Sequence, residues 1–107
     1  MTQITYEEAS GRQTTVDVPE GWSLMQAALS NGVDGIVGEC GGSCACATCH
    51  CYVDEARLGD LPPPSTAELE LLEAVAAERR PNSRLACQIR ATPALQGLML
   101  VLPDRQE

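Results

Sequence analysis

One stretch of the chain decides its fold: Cys40-Gly-Gly-Ser-Cys44-Ala-Cys46-Ala-Thr-Cys49-His50-Cys51. It gathers five of the six cysteines of a 107-residue chain, and the sixth is Cys87. A secreted disulfide framework instead spreads its cysteines so that they staple distant loops. Clustered thiolates are soft ligands that suit zinc, copper(I) or iron–sulfur clusters. The clustering therefore predicts a metal centre.

The spacing of the cysteines indicates which kind of metal centre they bind. Counted from Cys40, the pattern is C-x₅-C-x₂-C-x₃₇-C. A structural zinc site draws paired ligands from two knuckles, whereas Cys87 has no second cysteine nearby. Three ligands on one loop and one distant ligand is the pattern of a [2Fe–2S] protein, here with a first gap one residue longer than the plant-type spacing. A Rieske centre is excluded because it needs two histidine ligands, and His50 is the only histidine.

Small residues surround these cysteines. Residues Gly35–Thr48 include four glycines and match neither a helix nor a strand pattern. Thiolates and sulfides accept hydrogen bonds, and small side chains allow backbone N–H groups to approach them. The segment is therefore predicted to be a loop that wraps the cluster.

The rest of the chain predicts an α+β domain with a mixed sheet and helices packed on one face. A hairpin is predicted from Ile4–Glu8 and Thr14–Val18, with Ser10-Gly11 as its turn. Ser23 is predicted to cap a helix that stops at Asn31-Gly32. Further strands are predicted at His50–Val53, Ile89–Ala91 and Leu98–Leu102.

A second helix is predicted after the three prolines that end at Pro64. Ser65 and Glu68 have the spacing of a capping box. Helical periodicity puts five apolar residues on one side and points Glu70 and Glu73 outward. The apolar residues are Leu69, Leu71, Leu72, Val75 and Ala76.

The net charge of the chain limits the classes of partner that it is expected to bind. The formal charge is −8, with 15 acidic residues and seven arginines as the basic ones. This argues against nucleic acid and against an anionic membrane surface, and favours a basic protein partner. No apolar run reaches the length of a membrane span, and the N-terminus lacks a signal peptide, so we expect a cytoplasmic protein.

Two segments resemble the adrenodoxin/putidaredoxin-type [2Fe–2S] ferredoxins: Glu39–Val53 around the clustered cysteines and Pro81–Ile89 around Cys87. The chain also closes with Leu102-Pro-Asp-Arg-Gln, and the resemblance covers nearly all of it. It implies a single β-grasp ferredoxin domain over residues 1–107 and one [2Fe–2S] cluster. The implied ligands are Cys40, Cys46, Cys49 and Cys87.

The resemblance also implies a function. Proteins of this family carry electrons from an NAD(P)H-dependent, FAD-containing reductase to a cytochrome P450, so the chain is expected to be a monomeric carrier with transient complexes and not an enzyme. Seven acidic residues and one arginine lie between Asp54 and Glu78, and the equivalent acidic helix of the family is a docking surface. The docking candidates are Glu39, Glu68, Glu70 and Glu73.

Several alternatives stay open from the sequence. The electron acceptor could be iron–sulfur cluster assembly instead of a P450, since ferredoxins of this type serve both. A structural zinc or interaction module is a more distant alternative. Cys44 and Cys51 are predicted to be spectators, with Cys51 facing the core. His50 is predicted to hydrogen-bond and so tie the cluster loop to the body of the domain.

Overall fold

The computed structural model describes residues 1–33, 36, 49–75 and 77–104. Several predictions fall outside these residues: most of the glycine-rich loop with Glu39, Cys40, Cys44 and Cys46, as well as Ala76 and the last three positions of the chain. The described part contains strands β1 (Thr2–Glu7), β2 (Gln13–Val18), β3 (His50–Val53), β4 (Ser83–Leu85) and β5 (Leu98–Val101). Its α-helices are α1 (Leu24–Ser30) and α2 (Thr66–Leu72).

The five strands form one mixed sheet in the order β2-β1-β5-β3-β4. Only the β1–β5 pair is parallel among the described pairings, and the other three pairs are antiparallel. Strands β1 and β5, from opposite ends of the chain, thus lie side by side inside the sheet, and β3 and β4 lie together at one edge. The predicted α+β class is confirmed. No described helix has the length and apolar character needed to cross a membrane.

The predicted hairpin is formed by β1 and β2. Ile4 pairs with Val16 on the buried face, and Thr5 pairs with Thr15, whose hydroxyls lie 3.0 Å apart. Gly11 has a φ of +92°, a left-handed conformation that glycine adopts without strain. The alternation of buried and exposed side chains therefore sets the register of this pair.

Helix α1 begins where the sequence predicts. The Ser23 hydroxyl accepts a hydrogen bond of 3.0 Å from the backbone N–H of Gln26, as an N-cap does. Tyr6 on β1 donates its hydroxyl to the carbonyl of Leu24 over 2.6 Å. This buried bond fixes the start of the helix against the sheet.

Helix α2 begins as predicted, but it ends before Val75, and the face that it turns toward the core differs from the predicted one. Ser65 caps it, and the helix ends at Leu72. Leu72 is buried, but Leu69 is 41% exposed, so the prediction that Leu69 packs inward is wrong. The inward position four residues before Leu72 is held by Glu68, which is 1% exposed. Leu69 lies about 100° further round the helix.

The edge of the sheet also differs from the prediction. The predicted strand Ile89–Ala91 contributes only an isolated bridge between Ser23 and Arg90. Instead, Ser83–Leu85 forms β4, which pairs antiparallel with β3. All three residues of β4 are buried, so the segment carries no alternation from which a strand could be predicted.

Candidate metal centre

Two of the four predicted ligands come together at the β3–β4 edge. Cys49 immediately precedes β3, and Cys87 lies in the 3₁₀ turn Ala86–Gln88, which comes directly after β4. The backbone N–H of Ala86 donates 2.9 Å to the carbonyl of Cys49. The antiparallel pairing of the two strands therefore brings these distant cysteines side by side.

The two thiols contact each other in a dry environment. Cys49 is fully buried and Cys87 is 1% exposed. A hydrogen bond between the Cys49 and Cys87 side chains, followed by burial, raises the pKa of Cys49 above its ordinary value. A thiolate forms at such a place when a metal ion supplies the compensating positive charge. The pair fits half of a tetrathiolate site, and the other two predicted ligands, Cys40 and Cys46, lie outside the described residues.

Cys51 is buried, as predicted, and its thiol contacts the backbone of β4. Its sulfur donates to the backbone carbonyl of Arg84 over 3.5 Å, within the β3–β4 pair. Burial raises the pKa of this thiol to about 12, against an opposing effect of the Arg84 guanidinium. Cys51 therefore stays a protonated thiol near neutral pH.

His50 joins the two ligand segments through its side chain. Its Nε2 lies 2.8 Å from the hydroxyl of Ser83, which accepts the backbone N–H of Arg80 over 2.8 Å. Burial, helped by the positive charge of Arg80, lowers the pKa of His50 to about 4. The imidazole is thus neutral at pH 7, and the Ser83 hydroxyl can donate to it while accepting from Arg80. The predicted hydrogen bond from His50 to the body of the domain is present, whereas most of the cluster loop that it is predicted to tie lies outside the described residues.

The side chain of Tyr52 links His50 to Arg80, which lies at the surface. The Tyr52 ring meets His50 edge-on, with 4.8 Å between ring centroids. The Arg80 guanidinium lies over the Tyr52 ring, 4.3 Å from its centroid. Sequence reasoning missed both partners, because nothing in their local sequence marks them as neighbours.

The acidic docking candidates separate into two kinds. Glu70 on α2 and Glu73, which caps its C-terminal end, are exposed, as predicted. Glu68 is buried, and its carboxylate is paired with Arg84, so its assignment to the docking surface is wrong. The reason is the same inward turn of α2 that exposes Leu69. The fourth candidate, Glu39, lies outside the described residues.

Comparison with known proteins is consistent with this geometry. The model of the 2Fe-2S iron-sulfur cluster binding domain matches residues 7–92. The chain belongs to this family. It carries one [2Fe–2S] cluster, and the two buried thiols that meet at the sheet edge are of the type this cofactor binds.

The relatives agree over their full lengths. Putidaredoxin from Pseudomonas putida is 51% identical, covering 99% of both chains. Ferredoxin CarAc from a Sphingomonas species is 53% identical over 97% of this chain and 94% of its own. The solved structure of a reduced putidaredoxin variant superposes with a TM-score of 0.97 at 50% identity, covering 99% of this chain and all of that one. Putidaredoxin in a covalent complex with putidaredoxin reductase gives 0.95 at 50% identity, over 97% of this chain and all of that one.

Proposed function

We propose that this ferredoxin carries single electrons from an NAD(P)H-dependent, FAD-containing reductase to a cytochrome P450. The observation that carries the proposal is the meeting of the buried Cys49 and Cys87 thiols in a full-length relative of putidaredoxin. The proposed ligands are Cys40, Cys46, Cys49 and Cys87. A reductase partner is supported by the solved complex of putidaredoxin with its reductase.

The described residues have definite tasks in this function. The bound cluster supplies a centre that takes up and gives back one electron. Cys49 and Cys87 are held in register by the bond from Ala86 N–H to the Cys49 carbonyl, and again by the His50–Ser83 contact. Because both sulfurs are buried, little solvent reorganises around them when the charge changes.

Charge supports transient docking to a basic partner. The chain carries −8, and four thiolates on an oxidised [2Fe–2S] core bring the holoprotein to about −10. Electrostatic steering raises the association rate of such a protein without requiring a large interface, which favours rapid release. Glu70 and Glu73 are the described residues that we assign to this surface, with Glu39 as a further member.

The chain is proposed to act as one domain and as a monomer in the cytoplasm. Residues 1–107 are treated as one unit because β1 and β5, from the two ends of the chain, pair directly at the centre of the sheet. The protein is proposed to have no catalytic activity of its own, since the relatives found are ferredoxins.

Reconstitution tests the electron path. The holoprotein is mixed with NADH or NADPH, a flavoprotein reductase and a P450 from the same organism, and the haem is trapped as its ferrous carbon monoxide complex. The proposal predicts that the complex forms only when all components are present. If the reductase reduces the cluster but no P450 from that organism accepts the electron, the P450 assignment fails and cluster assembly becomes the better acceptor.

A further inference from the structure

The side chain of Gln88 contacts a proposed cluster ligand. Its amide Nε2 donates a hydrogen bond of 3.4 Å to the sulfur of Cys87, its neighbour in sequence. The Gln88 side chain is partly buried, whereas Cys87 is almost entirely buried. A neutral amide donor therefore lies at a sulfur that has little access to water.

The backbone holds this donor in place from both sides. Ala86, at the start of the turn, donates 2.9 Å to the Cys49 carbonyl. Ile89, at its end, is fully buried and accepts the N–H of Leu24, the first residue of α1, over 2.9 Å. The 3₁₀ turn Ala86–Gln88 is thus bonded to Cys49, just before β3, at one end, and the residue that follows it is bonded to α1. The backbone is therefore fixed on both sides of Gln88.

We propose that Gln88 is a positioning residue that raises the reduction potential of the cluster through its hydrogen bond to Cys87. Hydrogen bonds to the ligand sulfurs are one of the means by which a protein sets this potential. Reduction adds one negative charge to the cluster and its thiolates, so a donor at a ligand sulfur stabilises the reduced form more than the oxidised form. Removing the donor should therefore lower the potential. The inference rests on the proposed ligation by Cys87.

The test compares the potentials of cluster-loaded variants. Gln88→Met removes the donor and keeps an unbranched side chain of similar length. Gln88→Glu keeps the shape but replaces the donor with a negative charge. Gln96→Met is the matched control, because Gln96 bonds Gln3 at the opposite end of the sheet.

Potentials are measured by redox titration, and Fe–S stretching frequencies by resonance Raman spectroscopy. We expect Gln88→Met to lower the equilibrium constant for reduction by about three- to tenfold, where tenfold corresponds to about 59 mV for one electron. Gln88→Glu should lower it further, and both variants should shift the Fe–S stretching frequencies. Gln96→Met should match the unmodified protein in both measurements.

Two results would overturn the inference. One is a potential for loaded Gln88→Met that equals that of Gln96→Met. The other is loss of the cluster from both Gln88 variants, which would show that Gln88 maintains the fold and does not tune the potential. Failure of the ligand assignment would look different: Cys87→Ala would keep a full cluster with an unchanged electron paramagnetic resonance spectrum.

Discussion

Arg84 and Glu68 form a buried, two-pronged ion pair, with 2.6 Å from Nε to Oε2 and 3.1 Å from Nη2 to Oε1. The same carboxylate accepts the backbone N–H of Leu85 over 2.9 Å. Glu68 belongs to α2, whereas Arg84 and Leu85 belong to β4, two residues before the proposed ligand Cys87. One side chain thus fixes the acidic helix to the strand that leads into the cluster site.

Removing this charge should destabilise the protein. Glu68→Gln leaves the Arg84 guanidinium buried without its counter-charge, and breaking such a pair costs about 3–5 kcal/mol. We expect this loss in the free energy of unfolding of the loaded protein, measured by denaturant titration. Glu70→Gln, an exposed position on the same helix, should stay within about 0.5 kcal/mol of the unmodified protein. Equal losses in the two variants would contradict the role given to the ion pair.

The buried cysteines should differ in their effect on iron. Cys51→Ala removes a thiol whose described hydrogen bond goes to the backbone carbonyl of Arg84, so the protein should keep about two irons per chain. Cys87→Ala removes a proposed ligand from an equally buried position and should lose the cluster. Iron and sulfide analysis after gel filtration measures both. A Cys51→Ala protein without iron would contradict the proposed set of four ligands.

Cys44 should behave like Cys51. The spacing of the cysteines leaves it outside the proposed ligand set, so Cys44→Ala is expected to retain a full complement of iron and the unmodified visible spectrum. Loss of iron from this variant would mean that the ligand set has been assigned wrongly within the loop.

The stability should depend on pH through His50. The pKa of His50 is about 4 in the fold and about 6.5 when unfolded, so the fold favours the neutral ring. Its contribution is complete above about pH 6.5 and is lost progressively as the pH falls toward 4. Unfolding titrations of the loaded protein between pH 7 and pH 5 measure the upper part of this range.

A matched variant separates this effect from other titrations. In His50→Asn the side chain does not titrate, so the free energy of unfolding should fall less between pH 7 and pH 5 than in the unmodified protein. Parallel pH profiles for the two proteins would show that His50 does not carry the dependence.

The exposed acids of α2 should control partner association. Glu70→Gln combined with Glu73→Gln removes two charges from the proposed docking surface and should lower the second-order rate of reduction by the reductase about three- to tenfold at low salt. The difference should shrink as salt is added. Asp17→Asn combined with Glu20→Gln removes the same charge from exposed positions at the end of β2. If this control slows reduction equally, net charge and not the α2 surface governs docking.

Much of this structure could be predicted from short-range signals. Ser23 and Ser65 cap the helices where their sequences indicate, and the alternation of β1 and β2 sets their pairing. The two cysteine segments and their resemblance to a family were sufficient to predict the cofactor. Each of these signals lies within a few residues of the element that it specifies.

The features that the sequence did not predict, at Glu68, Leu69 and Ser83–Leu85, have a common physical cause. From its sequence context, Glu68 is expected to be a surface acid. Its burial is favourable only because Arg84, on β4, pairs with its carboxylate. Because Glu68 occupies the inward-facing position of α2, Leu69 faces outward. Ser83–Leu85 becomes a strand because β3 offers it backbone partners, not because its three residues favour one. Contacts between distant segments decide all three cases, and a single sequence does not encode them locally.

Quantitative electron paramagnetic resonance of the purified, chemically reduced protein tests the central claim most directly. The account predicts one signal from a reduced [2Fe–2S] cluster that integrates to about one spin per chain, in a protein holding about two irons and two sulfides. It predicts that the signal disappears in Cys87→Ala and persists in Cys51→Ala. A colourless protein with one zinc per chain and no signal on reduction would contradict the account.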